Sequence, residues 1–243
     1  MRTAVVVDGA FFLRRFKHRY PELDPHNPRD VSVGLMFLAA AHISISDGGW
    51  SPAGLISTVD DQKFLDTKWT ESDLLYRIFF YDCQPLTKRT HLPISKRALN
   101  LAGTDVAKSR LAIHEALLNV RKVALRLGRL NDQFGWRVKP LSVERWLADS
   151  SSFAPTDDDF ELDTVQKGVD MRLGLDVASM AFKRQVSQIV LVAADADFVP
   201  AVKLARREGI DVVLDPMGAP AASDLVANCD GVRNAVSPPR NPR

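Results

Sequence analysis

Short apolar runs that each end in a turn are the main feature of the hydrophobic pattern along this chain. The four clearest runs are Thr3–Val7, Arg77–Tyr81, Gln188–Ala193 and Asp211–Leu214. They are rich in Val, Ile, Leu or Phe and contain few charges, which is typical of strands buried on both faces of a parallel sheet. A weaker fifth candidate is Trp136–Val138. The pattern therefore predicts a mainly parallel sheet.

Helical patterns separate these runs, because apolar residues there recur at intervals of three and four positions. The predicted helices are Phe11–Arg19, Val31–Ala41, Asp105–Leu127, Val169–Arg184 and Val199–Glu208. The last of them is followed by Gly209, a residue that commonly ends helices. Alternating strands and helices predict an α/β fold in which helices flank the sheet.

Polar segments between these elements are predicted to be loops, namely Asp24–Pro28, Asp47–Pro52 and the acidic stretch Asp157–Asp163. The chain has 243 residues and shows neither an internal repeat nor a convincing linker. We therefore expect one domain over residues 1–235, with helical insertions around 20–75 and 84–135. The tail, 236–243, is rich in Pro and Arg and is expected to be disordered.

Composition excludes several classes of protein. The apolar run Ala4–Val7 is interrupted by Asp8, which is not typical of a signal peptide. The most apolar longer stretch, Val31–Ile45, is too short to span a bilayer. Cys83 and Cys229 lack the spacing of a disulfide framework or a zinc site. These features favour a reduced, cytoplasmic protein without a membrane partner, and the formal net charge of +2 does not by itself indicate nucleic acid.

Aspartates follow the predicted strands where each strand ends. In open α/β sheets, ligands bind outside the carboxyl ends of the strands, so Asp8 and Asp195 are expected to approach one another. We interpret Asp82 and Asp215 mainly as turn formers. Asp197 lies two residues after Asp195, and two such carboxylates repel unless a cation or protons neutralise them. A hard divalent metal suits this turn, although Asp197 would also suit a helix cap.

Two more acids belong to the predicted helix that begins at Val169. Asp170 and Asp176 fall within or beside its apolar arc, where an uncompensated charge is costly. Metal binding would compensate for that cost. The alternative for Asp170 is a favourable interaction with the helix dipole, and the alternative for Asp176 is pairing with a buried donor. We favour a functional role for Asp170 and leave both interpretations open for Asp176.

Three sequence motifs, taken in their order along the chain, resemble those of the NYN family. This family is a branch of the PIN-like nucleases and includes the LabA-like bacterial proteins. The motifs are Val5-Val6-Val7-Asp8-Gly9, the segment from Gln166 to Asp176, and the segment from Leu191 to Phe198, with support from Arg77–Asp82 and from Arg206-Arg207-Glu208-Gly209. The resemblance implies a Rossmann-like sheet and a Mg²⁺- or Mn²⁺-dependent ribonuclease, in which one or two metal ions activate water. The acids implied are Asp8, Asp170, Asp195 and Asp197, with Asp176 as a further metal-binding candidate.

The chain departs from the family pattern at two places. Phe11 stands where many relatives carry Asn, and Ala193, Ala194 and Ala196 stand within a turn that is often Ser-Gly-Asp-Ser-Asp. The lost amide and hydroxyl groups would weaken the support of the metal ligands. An alternative function is therefore a nucleic-acid-binding or regulatory adaptor with a weakened or inactive nuclease site.

Basic residues indicate where RNA, expected to be single-stranded, would bind. Arg14 and Arg15 follow the first predicted strand within two helical turns. Lys122 and Arg126 project from the polar side of the predicted helix Asp105–Leu127, a face suited to phosphate or simply to solvent. The apolar stripe of that helix would pack on the domain or form a homodimer. A further basic cluster in a loop-like insertion comprises Lys88, Arg89, Lys96 and Arg97.

Overall fold

A central sheet organises the computed structural model, which describes residues 2–46, 73–131 and 134–236. Its strands are β1 (Thr3–Asp8), β2 (Leu75–Cys83), β5 (Val123–Leu130), β8 (Gln166–Lys167), β9 (Gln188–Val192), β10 (Asp211–Asp215) and β11 (Gly231–Val232). Two separate hairpins pair β3 (Arg89–His91) with β4 (Ala98–Asn100), and β6 (Gly135–Val138) with β7 (Phe160–Asp163).

The strand order of the central sheet is β11-β10-β9-β1-β2-β5-β8. Every neighbouring pair is parallel except β5 and β8, which are antiparallel. The chain builds outward from β1 to β2 and β5 on one side, and from β9 to β10 and β11 on the other. The order therefore reverses between β1 and β9, the type of position where open α/β sheets bind ligands. The predicted α/β fold, a Rossmann-like arrangement with a mainly parallel sheet, is confirmed.

Helices cover both faces of this sheet. They are α1 (Gly9–Arg19), α2 (Pro28–Ser46), α3 (Asp105–Leu118), α4 (Pro140–Ala148), α5 (Val169–Phe182), α6 (Val199–Arg207) and α7 (Ser223–Asn228). Alternate residues of a strand point to opposite faces, so each strand supplies two cores. Val5 and Val7 pack with α1, α2 and α3, whereas Ala4 and Val6 pack with α5, α6 and α7. No helix within the described ranges is long and apolar enough to cross a membrane.

The predicted helix Asp105–Leu127 was wrong beyond Leu118, where α3 ends. The chain turns at Lys122, whose φ of 62° is left-handed, and continues as β5 in the central sheet. Val123 and Leu125 face one core and Ala124 faces the other, which is the period of a strand. Val120, Ala124 and Leu127 recur at intervals of four and three positions, so the apolar pattern of this short stretch is also compatible with a helix.

Smaller corrections concern the segment after β5. Trp136–Val138 is a strand, but it belongs to the β6–β7 hairpin and not to the central sheet. Asp157–Asp163, predicted as a loop, forms a 3-10 turn followed by β7. The region 84–135, expected to be a helical insertion, contains α3 together with β3, β4 and the central strand β5. The predicted loop Asp47–Pro52 and most of the tail lie outside the described residues.

Candidate active site at the carboxyl edge of the sheet

Asp8 ends β1 and begins α1. Its Oδ1 accepts a hydrogen bond from the backbone amide of Phe11 at 3.1 Å, so the carboxylate caps the helix. Gly9 is required next to it, because a Cβ there would lie 2.5 Å from the Phe80 ring and 2.7 Å from the Tyr81 carbonyl. Burial raises the pKa of Asp8, opposed by the Phe11 amide and by the charge of Arg14. The carboxylate is therefore held at a fixed, half-buried position.

The turn after β9 carries the next two acids. Because β1 and β9 are parallel neighbours, with Val7 opposite Val192, this turn and Asp8 leave the sheet at the same edge. We call it the carboxyl edge. Asp195 Oδ1 accepts a hydrogen bond from the Asp197 amide at 3.3 Å and caps a short 3-10 turn. Both side chains are exposed. Helix α6 begins after Phe198 without a side-chain cap, so Asp197 does not act as its cap.

Asp170 reaches the same region from the first turn of α5. Loss of solvation raises the pKa of its carboxyl, and the negative charges of Asp197 and Asp195 raise it further. Asp170 is therefore close enough to Asp195 and Asp197 to be repelled by both. Gly168, with a φ of 81°, forms the left-handed turn that starts α5 directly after β8. The sheet and this turn together position Asp170 beside the β9 turn.

Asp176 lies two turns further along α5 and is engaged differently. Its Oδ2 accepts hydrogen bonds from the Tyr81 hydroxyl and from Arg126 Nε, each at 2.8 Å. Arg126 also lies over the Phe79 ring, 5.3 Å from its centroid. Asp176 thus makes the pairing that was left open as an alternative to metal binding.

Comparison with known proteins adds a family to this geometry. Residues 137–234 match the family model of the NYN domain. Over this segment the chain is similar to the NYN domain. The matched part carries Asp170, Asp195 and Asp197, whereas Asp8 lies before it. This similarity supports the function of a PIN-like nuclease, which is a hydrolase.

Comparisons with solved structures and with curated proteins add no functional information about this chain. A crystal structure of a protein of unknown function from Vibrio parahaemolyticus is 13% identical, with a TM-score of 0.44, and the match covers 97% of this chain and 94% of that one. Among curated proteins, none matches the chain significantly.

The side chains at the carboxyl edge determine whether a divalent metal ion would fit there. Within residues 2–46, 73–131 and 134–236, no group of three or more His, Cys, Asp or Glu side chains is arranged to hold a metal ion. The chemistry of the donors nevertheless fits, because Asp8, Asp170, Asp195 and Asp197 are all hard oxygen donors that Mg²⁺ and Mn²⁺ prefer. A bound cation would also relieve the repulsion of Asp170 by its neighbours. The predicted metal cluster stays a prediction.

The predicted RNA-binding residues of the chain fall into two groups. Arg14 is exposed, and its charge acts on Asp8, whereas Arg15 donates to the Met217 carbonyl at 3.2 and 3.4 Å. Lys122 and Arg126 do not share an exposed helix face. Lys122 Nζ donates to the Leu75 carbonyl at 2.7 Å where β2 begins, and Arg126 is on β5 beside Asp176. Their predicted placement on a helix was wrong because β5 is a strand.

Asp82 forms a buried polar cluster that the sequence did not reveal. Its Oδ2 lies 2.7 Å from Arg110 Nη1 and 2.8 Å from His114 Nε2, both on α3. Burial opposes ionisation of Asp82, but the His114 hydrogen bond and the Arg110 charge outweigh it and lower the pKa. Asp82 was interpreted as a turn former, yet it anchors a helix at the carboxyl edge. The available signal was a His on the apolar face of α3.

Proposed function

We propose that this NYN domain protein is a metal-dependent endoribonuclease whose carboxyl edge binds Mg²⁺ or Mn²⁺. The observation that carries the proposal is the placement of Asp170 near Asp195 and Asp197, whose charges raise the pKa of its carboxyl, at the strand-order reversal beside the end of β1. Carboxylates that repel one another in an open edge are costly unless a cation joins them. Asp8, Asp170, Asp195 and Asp197 would hold the ion.

The chemistry follows from this donor set. A bound divalent ion would supply activated water and would neutralise charge on the phosphodiester. Asp8 is positioned by its cap of α1, so its carboxylate needs little reorganisation when the site is loaded. Asp195 and Asp197 are exposed and open to a substrate at the surface. Arg14 places a positive charge near Asp8, where it would attract and orient a phosphate.

Single-stranded RNA is the proposed substrate. The test is cleavage of a labelled single-stranded RNA by the full chain with Mg²⁺ or Mn²⁺. Asp195→Asn should reduce the cleavage rate at least about 100-fold, because Asn retains the cap but not the charge. The matched control is Asp73→Asn, whose side chain is 96% exposed just before β2, at the opposite edge. The control should cleave as the wild type does.

The second candidate is a binding or regulatory adaptor. It is favoured by Phe11, which is buried where relatives carry Asn, and by Ala194 and Ala196 in the β9 turn. If the wild type binds single-stranded RNA but cleaves it with neither metal, the adaptor replaces the enzyme. If excess EDTA leaves cleavage by the wild type unchanged, the metal-dependent proposal is wrong.

A further inference from the structure

Two excursions of the chain leave the carboxyl edge and join each other. One connects β2 to α3 and contains the β3–β4 hairpin; the other connects β5 to β8 and contains β6, α4 and β7. The Trp136 indole donates to the His91 carbonyl at 3.0 Å, and Asp157 accepts the amides of Ile94 and Ser95 at 2.9 and 3.2 Å. We call these joined parts, residues 88–100 and 134–163, the edge unit.

The topology places the edge unit on the same side of the sheet as the acids. Both excursions start where the parallel strands β2 and β5 end, at the edge that also carries Asp8. The second excursion returns through β8 and the turn at Gly168 directly to Asp170. A strand of nucleic acid bound on the edge unit would therefore approach the candidate active site without crossing the sheet.

The edge unit carries an exposed aromatic platform, which we define as Arg145, Trp146 and Phe153. The rings of Trp146 and Phe153 are stacked, with centroids 6.3 Å apart and planes 25° from parallel. The Arg145 guanidinium lies over the Phe153 ring, 5.6 Å from its centroid. Trp146 is 49% exposed, although a large aromatic residue is usually more buried. A flat surface with an adjacent cation suits a further flat ring.

Asp159 holds the platform rigid. This residue is buried, and its carboxylate accepts from the Ser142 hydroxyl at 2.8 Å and the Thr156 amide at 2.7 Å. It also pairs with Arg145, so it ties α4 to the loop that carries Phe153. The Thr156 amide and the Ser142 hydroxyl lower the pKa of Asp159 to about 2, so these bonds persist at any working pH. A rigid platform loses little entropy when a ligand stacks on it.

The β3–β4 hairpin supplies an independent, electrostatic feature. Residues 88–100 contain four basic residues and no Asp or Glu, and all four are exposed. They are Lys88, Arg89, Lys96 and Arg97. Residues 134–163 contain seven acidic and three basic residues, so the excess of positive charge in the edge unit is confined to this hairpin. A basic segment joined to a stacking surface is a combination by which proteins bind single-stranded nucleic acid, because phosphates follow the charges while bases stack on aromatic rings.

We propose that the edge unit is a binding subsite for single-stranded RNA, in which a base stacks on Trp146 and the backbone follows the basic hairpin. The inference rests on the proposed function, since it brings the same substrate to the same edge of the sheet. It assigns substrate binding to a part of the chain that is separate from the acids. It also replaces Lys122 and Arg126 as the second basic contact.

Equilibrium binding in EDTA tests this subsite without cleavage. The ligand is a fluorescently labelled single-stranded RNA, titrated with the full chain. Trp146→Leu should weaken binding about 5- to 140-fold, the range for loss of one stacked base. Trp146→Phe keeps a ring and should retain most of the affinity. The matched control is Leu147→Ala, which removes the neighbouring, 78% exposed apolar side chain and should bind as the wild type does.

A duplex RNA of the same sequence provides the contrast. Its bases are already stacked on one another, so the affinity of the chain for the duplex should not change in Trp146→Leu. The proposal is overturned if Trp146→Leu binds the single strand as tightly as the wild type. It is also overturned if Leu147→Ala weakens binding equally, or if Trp146→Leu instead abolishes self-association of the chain, because the face then contacts protein.

Cleavage measured alongside binding separates the two proposals. If the wild type cleaves with Mn²⁺ and Trp146→Leu binds and cleaves normally, the subsite is wrong and the nuclease stands. If the wild type binds in a Trp146-dependent manner but cleaves with neither metal, the subsite stands and the nuclease proposal fails. Each variant is used only after its melting temperature matches that of the wild type.

Discussion

Single charged side chains at the carboxyl edge have distinct tasks, and Arg14 illustrates this best. It is exposed on α1, and its charge opposes the rise that burial causes in the pKa of Asp8, whereas its neighbour Arg15 is occupied by the Met217 carbonyl. Of the two arginines proposed to contact phosphate, Arg14 is therefore the stronger candidate. A side chain already bonded to the backbone must give up that bond to reach a ligand.

Replacing Arg14 with Ala should weaken binding of single-stranded RNA and reduce its salt dependence by about one counterion, because one phosphate contact is lost. The measurement is the slope of log affinity against log salt concentration, in EDTA. The matched control is Arg121→Ala, an exposed arginine just before β5, at the opposite edge. An unchanged slope for Arg14→Ala, or an equal change for the control, would count against a phosphate contact.

Asp176 should act in stability and not in metal binding. Asp176→Asn should lower the free energy of unfolding by about 1 kcal/mol, because Arg126 and Tyr81 lose a charged, half-buried acceptor. The Mn²⁺ affinity should stay within about twofold of the wild type if Asp176 is not a ligand. A double-mutant cycle with Arg126→Gln checks the pair. Loss of Mn²⁺ binding in Asp176→Asn would restore this residue to the metal site.

At the scale of elements, β5 decides how α5 is placed. Gly128 on β5 lies against the start of α5, where an added Cβ would be 2.7 Å from Val169 Cγ2 and 2.9 Å from the Lys167 carbonyl. A strand with alternating Leu and Arg was read as the end of a helix, so this contact was not predicted. The close approach of the β8–α5 turn explains why position 128 is a glycine.

Gly128→Ala should reduce stability by about 1–3 kcal/mol, the usual cost of overpacking. It should also impair cleavage beyond what unfolding explains, because the displaced Val169 precedes Asp170. The assay is performed well below the melting temperature of the variant. Gly135→Ala is the control, since a Cβ there has nothing within 4 Å. Equal effects at the two glycines would contradict the close contact of β5 and α5.

The whole molecule is held together by buried polar links as well as by its two cores. His42 on α2 and Asp215 at the end of β10 are both fully buried, with Nε2 and Oδ2 2.8 Å apart. Asp215 also accepts the amides of Met217 and Ala235, at 2.7 and 3.3 Å. This one carboxylate therefore joins a helix, a strand and the last described segment.

His42→Leu should destabilise the chain by about 3–5 kcal/mol, because a buried carboxylate loses its partner. The double variant His42→Leu/Asp215→Asn should recover part of that loss, since the uncompensated charge is gone. Chemical unfolding of both variants measures the difference. A cost below about 1 kcal/mol for His42→Leu would show that the pair contributes little.

The sequence predicted the strands of the central sheet better than it predicted the contacts of buried polar side chains. Apolar runs identified β1, β2, β9 and β10, because buried parallel strands differ strongly from their surroundings. The order of strands along the chain then placed Asp8 and Asp195 at one edge. The partners of Asp82 and Asp215 could not be predicted, since His114 and His42 are far away in sequence and meet them only through packing.

The central claim is that the carboxyl edge binds a divalent ion, and Mn²⁺-dependent melting tests it most directly. An ion that binds only the folded state stabilises it by about 2.7 kcal/mol at one hundred times its dissociation constant. The wild type should then melt roughly 5–10 °C higher with Mn²⁺ than in EDTA. Asp195→Asn should lose most of this shift. In EDTA it should melt at or above the wild type, because the cap is kept and the repulsion of Asp170 is reduced. A wild type whose melting ignores Mn²⁺, together with an Asp195→Asn variant that melts lower in EDTA, would contradict the claim.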